Sequence, residues 1–372
     1  MNAGGGARRR TRGRATRRAA LALCGAFASL AVIEVVVRAG RLDQLAPPAI
    51  LVPDGRRLAD LSGITQFLAG EGGERGSSVT AMLPGLDVRG WYDRPQWDYF
   101  DADGCVTYRT NSLGFRNREF LLQRPADELR LLWIGDSFTF GLGVQAEDAW
   151  PTQLEARLRK RMSGRVEVIN GGCAAGFHPP TYAPWVATHS QPLDVDVLLI
   201  GICLNDLDPA IPMYLPLAPP IRPPFGGSVR VLSVACNALN GWRDRRARVP
   251  PPVRARRYLK NHPAEWQAFR DGVLSIRDSC AVNSVRLLVV IFPMLSQLAR
   301  GYPFVEFHRS VSDFCRESGI ESLDKLPPFL GRDESSLWVH PLDQHMNDVG
   351  HALLAETIEA HFAAHPLLPR AR

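Results

Sequence analysis

The sequence lacks the residue spacings that hold a metal ion. None of its seven cysteines forms a CxxC pair or stands at a zinc-type spacing from a histidine. It also lacks net charge outside one short segment. Of the formal charge of +6, seven arginines in residues 1–18 supply +7, which leaves −1 for the rest of the 372-residue chain. A nucleic-acid partner needs a basic folded surface, so we expect no nucleic acid. The missing ligand spacings argue against a metal ion, and we expect no cofactor.

An apolar run follows this basic tail. Residues 19–37, AALALCGAFASLAVIEVVV, contain one charged residue, Glu34. As a helix with about 1.5 Å per residue, the run would span roughly 28 Å, close to the ~30 Å hydrocarbon thickness of a bilayer. Arginines on its N-terminal side favour a cytoplasmic N-terminus. We therefore predict a single-pass membrane protein with a transmembrane anchor at 19–38 and a body in the periplasm or outside the cell.

A cleaved signal peptide is the alternative interpretation of this run. Val37-Arg38-Ala39 has the small residues of a cleavage site, although the run is longer than the usual apolar stretch of about 7–15 residues. Thr16-Arg17-Arg18 is faintly similar to a twin-arginine export signal. Both interpretations place the body outside the cytoplasm.

The cysteines leave a second question open. Six remain apart from Cys24, and an even number in an exported chain permits disulfides. Several of them lie in apolar stretches, where a buried free thiol is the alternative.

Two parts of the exported body lack a regular pattern. Residues 39–125 form a Pro- and Gly-rich N-terminal segment, in which Trp97–Tyr108 predicts a hairpin with its turn at Asp101–Gly104. Residues 207–262 form a Pro-rich insertion with seven arginines between Arg243 and Arg257 and Asp244 as the only acid among them. A solvated insertion is one interpretation of this cluster, and contact with an anionic polymer or lipid headgroup is the other.

Residues 126–372, outside that insertion, alternate apolar runs with amphipathic stretches. The predicted strands are Arg130–Ile134, Arg165–Ile169, Val195–Ile200 and Val285–Phe292. Near-continuous apolar strands between helices are typical of an α/β domain whose parallel sheet is covered on both faces. Such sheets place their sites at the carboxyl ends of the strands.

Chemically useful residues follow three of these strands. Ser137 stands at a strand-to-helix turn, where a helix N-terminus supplies free N–H groups. Asn170-Gly171-Gly172 permits close approach of the backbone to a ligand, and the Asn205 amide can donate to an oxyanion. Near the C-terminus, Asp343 and His345 supply a carboxylate and a base, the remaining parts of a serine-nucleophile system.

Each of these residues has a structural alternative. Asp136 before Ser137 is a common helix cap, and Asn347 suits the start of the last helix. His340 and His351 compete with His345 as bases. The spacing GxSxG is absent, which argues against the nucleophile elbow of α/β-hydrolases. The order in which the polar residues occur therefore carries the prediction.

The motifs GDSFTFG, VINGGCAAG, LLIGICLNDL and PLDQHMNDVGH resemble sequence blocks of the GDSL/SGNH hydrolase superfamily. The upstream YRTNSLGFRNREF resembles a segment often found before the first block in exported bacterial members. The resemblance implies a three-layer flavodoxin-like parallel sheet. It also implies Ser137 as nucleophile, with His345 as general base and Asp343 as its partner. The oxyanion donors would be the Ser137 and Gly172 N–H groups and the Asn205 amide.

Two positions depart from the pattern of the superfamily. Cys203 stands where its members usually have glycine, and Leu342 stands where they usually have the aspartate of the triad. Asp343, one residue later, is therefore the candidate.

The resemblance implies an exported serine esterase that hydrolyses acyl, and in particular acetyl, esters of carbohydrate or lipid. Its partners would be an acylated glycan or lipid ester, the membrane through residues 19–38, and an anionic partner at Arg243–Arg257. One alternative is an O-acyltransferase that modifies an envelope or secreted polysaccharide, because the same residues serve both reactions. Another is a non-catalytic envelope binding module.

Overall fold

The computed structural model describes residues 25, 28–39, 48–52, 57–58, 82–162, 164–173, 178–207, 221–222, 229–246 and 262–367. The predicted basic tail, most of the predicted anchor before residue 28 and the arginines after residue 246 lie outside these ranges. Among the helices of these ranges, none is long and apolar enough to cross a membrane.

The centre of the fold is a five-stranded sheet in which every neighbouring pair is parallel. Its strands, in the order β6-β5-β7-β8-β9, are β5 (Glu128–Gly135), β6 (Arg165–Gly172), β7 (Val197–Ile202), β8 (Arg286–Ile291) and β9 (Glu321–Asp324). All residues of β5 and β7 are buried, as expected for strands covered on both faces. The predicted α/β class with a parallel sheet is confirmed.

Helices alternate with these strands. They are α1 (Ser137–Phe140), α2 (Trp150–Arg161), α3 (Pro179–Leu193), α4 (Arg230–Arg246), α5 (Pro263–Val282), α6 (Val305–Glu317) and α7 (Asp348–Ala364). Helix α2 packs on β6 and α7, and α3 packs on α5. On α5, Phe269, Val273 and Ile276 are buried and share one face of the helix.

A second sheet is antiparallel and precedes the first. Its order is β2-β1-β3-β4, formed by Ala49–Leu51 (β1), Arg57–Leu58 (β2), Asp87–Trp91 (β3) and Cys105–Arg109 (β4). The turn predicted at Asp101–Gly104 is present, since the Gly104 N–H donates to the Asp101 carbonyl. The hairpin prediction was wrong in its first strand, because β4 pairs with β3 and not with residues after Trp97.

A two-stranded hairpin of β10 (Trp338–His340) and β11 (Asp343–Met346) precedes α7. Short 3₁₀ turns occur at Leu204–Asp206, Pro327–Phe329 and Glu334–Leu337. All six described cysteines are free thiols, so the disulfide alternative fails for the described part of the chain.

Contacts divide the chain into two compact units. One comprises Pro47–Leu215 and Pro250–Arg372 and contains both sheets. The described part of the predicted N-terminal segment 39–125 therefore shares a unit with the parallel sheet. The other unit comprises Met1–Ala46 and Pro216–Val249 and contains helical residues 28–39 and α4.

Candidate functional site

Ser137 is the first residue of α1, directly after the carboxyl end of β5. The Asp136 side chain caps this helix by accepting the Phe138 N–H at 3.0 Å. A first-turn N–H has no acceptor within its own helix, so the Ser137 N–H is a candidate donor to an oxyanion. A Cβ on Gly135 would lie 2.2 Å from Thr139 Oγ1, which explains why glycine precedes this turn.

His345 lies against the serine from the other side of the site. Its Nε2 is 2.7 Å from Ser137 Oγ, and its Nδ1 is 2.5 Å from Asp343 Oδ1. Asp343 and His345 both belong to β11, and residues two apart on a strand share a face. The extended backbone of β11 therefore lets an aspartate two residues before the histidine reach its imidazole.

Charge and burial together set the protonation of this pair. Burial alone would raise the pKa of Asp343, but the charge of His345 and its hydrogen bonds outweigh burial and lower it. Burial alone would lower the pKa of His345, but the Asp343 charge and hydrogen bond outweigh burial and raise it. The carboxylate thus stays ionised and favours the imidazolium that proton transfer from a serine would create.

Tyr92 is a site residue that the sequence prediction missed. Its hydroxyl donates to Asp343 Oδ2 at 2.8 Å, on the oxygen that His345 does not occupy. Burial and the Asp343 charge raise the pKa of Tyr92 well above its ordinary value, so the phenol remains a donor. No local motif marks Tyr92, because its partner lies 251 positions later in the chain.

Asn205 lies in the 3₁₀ turn after β7 and approaches the same strand end. Its Nδ2 donates to Asp136 Oδ2 at 2.8 Å, and an amide nitrogen carries a second hydrogen that can serve a substrate. Burial raises the pKa of Asp136. The structure therefore connects Asn205 to the cap of the serine helix.

The assignment of Gly172 as an oxyanion donor needs correction. Its N–H donates to Asn170 Oδ1 at 3.0 Å and is already engaged. A Cβ at this position would lie 2.2 Å from the Phe140 nitrogen. The glycine is thus required for close packing of β6 against α1. Residues 174–177, which follow in the chain, lie outside the described ranges.

The two competing histidines have structural partners. His340 Nε2 donates to the Asp93 carbonyl at 2.9 Å, while its Nδ1 accepts the Leu342 N–H at 3.1 Å. His351 Nδ1 accepts the Trp150 N–H at 3.3 Å. Burial, followed by the nearby charge of Arg116, lowers the pKa of His351 to about 3. Of these histidines, only His345 contacts Ser137.

Arg116, in the upstream YRTNSLGFRNREF segment, supports the serine helix from its C-terminal end. Its guanidinium donates to the carbonyls of Phe140 at 2.9 Å, Gly141 at 2.5 Å and Val144 at 2.7 Å. It also lies 5.0 Å from the ring centre of Tyr108. Burial lowers the pKa of Arg116 to about 10. The N-terminal segment therefore contacts both the serine helix and the Asp343 carboxylate.

Comparisons with known proteins give similar solved structures but no family assignment. No family model and no curated protein matches the chain. A member of the lipolytic protein G-D-S-L family from Veillonella parvula is 12% identical, with 64% of this chain and 100% of that chain covered and a TM-score of 0.39. The psychrotrophic esterase EstA from Pseudoalteromonas is 11% identical, with 63% of this chain and 97% of that chain covered and a TM-score of 0.41.

An acetyl-xylooligosaccharide esterase from Geobacillus is 14% identical, with 66% of this chain and 97% of that chain covered and a TM-score of 0.40. Similarity at this level does not establish an activity. The functional conclusion therefore depends on the geometry around Ser137.

Within the described ranges, no group of three or more His, Cys, Asp and Glu side chains could hold a metal ion.

Proposed function

We propose that the chain is a serine esterase of the SGNH type with Ser137 as nucleophile. One observation carries this proposal: the His345 imidazole bridges Ser137 Oγ and Asp343 Oδ1 through its two ring nitrogens. A nucleophile, a base and a group that orients the base, each within hydrogen-bond reach of the next, are what covalent acyl transfer requires.

In the proposed reaction, His345 Nε2 takes the Ser137 proton as Oγ attacks an ester carbonyl. The carbonyl oxygen becomes an oxyanion and accepts hydrogen bonds from the Ser137 N–H and the second Asn205 amide hydrogen. The C–O bond to the alcohol then breaks, and His345 returns its proton to the departing oxygen. Water, deprotonated by His345, then attacks the acyl carbon. The bond from this carbon to Ser137 Oγ breaks, His345 returns the proton to Oγ, and the acid is released. Each oxyanion donor is worth about 2.7–4 kcal/mol of transition-state stabilisation.

We further propose that the protein is exported, is held by an anchor at residues 19–38, and acts on acyl esters, in particular acetyl esters, of envelope carbohydrate or lipid. The basic tail and the apolar run of the sequence support this topology. That location and the resemblance to SGNH hydrolases together support this substrate class.

Labelling with a fluorophosphonate tests the enzyme itself. The wild-type chain should form a covalent adduct that mass spectrometry assigns to Ser137, and Ser137→Ala should form none. Ser335→Ala, a change at an exposed serine, is the matched control and should label normally. A folded wild-type chain that does not label would refute the proposal.

Product analysis separates hydrolysis from transfer. With an acetylated glycan alone, we expect release of acetate. When an unacetylated glycan is added, the acetyl groups should still go to water. Transfer to the added glycan instead would identify an O-acyltransferase that uses the same residues.

A further inference from the structure

Glu34, the single charged residue of the apolar run, has a specific structural role. Its Oε1 accepts the Arg230 N–H at 2.9 Å, and its Oε2 accepts the Val231 N–H at 2.8 Å. These N–H groups are the first two of α4, where a carboxylate is favourable because of the helix dipole. Arg38 Nε also contacts Glu34 Oε1 at 2.7 Å. Within this unit, the helical residues 28–39 therefore fix the start of α4.

Helix α4 carries an exposed apolar stripe. Five exposed residues with the spacing i, i+1, i+4, i+5, i+8 form this stripe, namely Val234, Ala235, Ala238, Leu239 and Trp242. Leu239 is 44% exposed and Trp242 is 46% exposed. Residues at this spacing share one face of a helix. The stripe is therefore a continuous surface that spans about 12 Å along the helix axis.

Helical residues 28–39 are similarly apolar and exposed. Val32 is 63% exposed, Val35 is 64% exposed and Val36 is 53% exposed. A contiguous apolar surface of this kind is unusual in a soluble monomer and marks contact with a protein or a membrane. Glu34 thus joins two helices that both expose apolar residues.

The charge pattern favours a membrane as the partner. Arg243 follows Trp242, and the sequence continues to Arg257 with seven arginines and one acid. Tryptophan is enriched where hydrocarbon meets headgroups, and clustered arginines attract anionic lipids. A helix with an apolar stripe, a tryptophan and an adjoining basic segment is typical of the membrane interface.

We propose that α4 lies in the headgroup region of an anionic bilayer, with its stripe at the acyl boundary and with Glu34 holding it beside the anchor. The proposal rests partly on the proposed anchor at 19–38. It goes beyond that anchor because it assigns a second membrane contact to a helix nearly 200 residues later in the chain. It also gives a function to the insertion at 207–262.

The test uses the full chain reconstituted in vesicles of phosphatidylcholine and phosphatidylglycerol. A polarity-sensitive fluorophore is attached to the cysteine introduced by Leu239→Cys, in a chain that also carries Cys24→Ser and Cys236→Ser. Val282→Cys is the control, because Val282 is apolar, 84% exposed and part of the other unit. Quenching by lipids with a doxyl group is compared with quenching by aqueous iodide.

We expect doxyl lipids to quench the label at position 239 and iodide not to quench it. At position 282 we expect iodide to quench the label and doxyl lipids not to quench it. In vesicles of phosphatidylcholine alone, lipid quenching at 239 should fall. Glu34→Ala should increase iodide quenching at 239, because α4 loses its cap.

Three outcomes overturn the proposal. Iodide quenching at 239 with no lipid quenching would mean a solvated helix. Protection from both quenchers would mean a protein contact or a second copy of the chain. Equal lipid quenching without phosphatidylglycerol would remove the role of the arginines. Fluorophosphonate labelling of Ser137 is measured on the same samples, so that failure of this inference is distinguishable from failure of the proposed esterase.

Discussion

The Tyr92 hydroxyl donates to Asp343 Oδ2 at 2.8 Å, and this hydrogen bond joins the N-terminal segment to the Ser137 site. A second hydrogen bond joins the same two parts of the chain, because the Trp97 indole N–H donates to the Trp338 carbonyl at 2.8 Å. The hairpin that presents His345 is therefore held by residues that precede the parallel sheet.

Tyr92→Phe should lower kcat/KM by about 10-fold, because a hydrogen bond to a charged group is worth ~1.5 kcal/mol. Without this donor, the Asp343 charge acts more strongly on His345. The acid limb of the pH profile should therefore move to higher pH, which a purely structural loss would not cause. Tyr99→Phe is the matched control, because the Tyr99 hydroxyl is buried with no hydrogen-bond partner. Equal effects of the two changes would contradict a positioning role for Tyr92.

The pH dependence of the wild-type enzyme should reflect the raised pKa of His345. The base must be neutral to accept the Ser137 proton, so kcat/KM should rise with pH. Its midpoint should lie above ~6.5, the ordinary pKa of histidine. In Asp343→Asn the favourable charge is lost, so the midpoint should move down and kcat should fall by about 10⁴-fold. An unchanged kcat in a folded Asp343→Asn variant would remove Asp343 from the reaction.

Arg116→Met should destabilise the fold by about 2–4 kcal/mol, because it leaves buried carbonyls of α1 and the following turn without donors. Arg116→Lys should recover only part of this loss, since an ammonium group cannot reproduce the planar fork. Urea unfolding measures both changes. Arg109→Met, at an arginine with a 72% exposed side chain, should have little effect. Equal stability of the Arg116→Met and wild-type chains would show that these contacts are dispensable.

Gly172→Ala should abolish fluorophosphonate labelling, although the Gly172 N–H is not available to an oxyanion. The new Cβ would meet the backbone at Phe140 and displace the serine helix. Circular dichroism and unfolding midpoints should show a less stable fold. Gly164→Ala, at an exposed glycine where a new Cβ would lie 3.2 Å from the Asp127 carbonyl oxygen, is the milder control and should label normally. Normal labelling and stability of Gly172→Ala would refute the packing argument.

Local sequence patterns were sufficient to predict the parallel sheet and the kinds of side chain that form the site. The apolar runs of β5 to β8 are visible because β5 and β7 are fully buried and β6 and β8 are mostly buried. Strand β9 was missed, since Glu321–Asp324 is only partly buried and has no apolar run. The proximity of Ser137 and Asn205 could be anticipated from their places at strand ends, whereas the positions of Asp343 and His345 beside Ser137 were expected from the resemblance to SGNH hydrolases.

Long-range contacts could not be read from the sequence. Nothing in the residues around Tyr92 or Arg116 shows that they reach Asp343 or the serine helix. The motif VINGGCAAG contains both Asn170 and Gly172, but it does not show that the Gly172 N–H donates to the Asn170 side chain. In the sequence, Glu34 is visible only as the one charged residue of an apolar run, and its partners in α4 became evident only from the structure.

The Arg116 and Tyr92 contacts limit how much of the N-terminal part of the chain can be removed without loss of function. A fragment that starts at residue 126 would keep every residue of the four motifs that include Ser137 and His345. It would lose the Tyr92 hydroxyl that donates to Asp343 and the Arg116 guanidinium that donates to carbonyls at the end of α1 and in the following turn. We therefore expect such a fragment to be inactive.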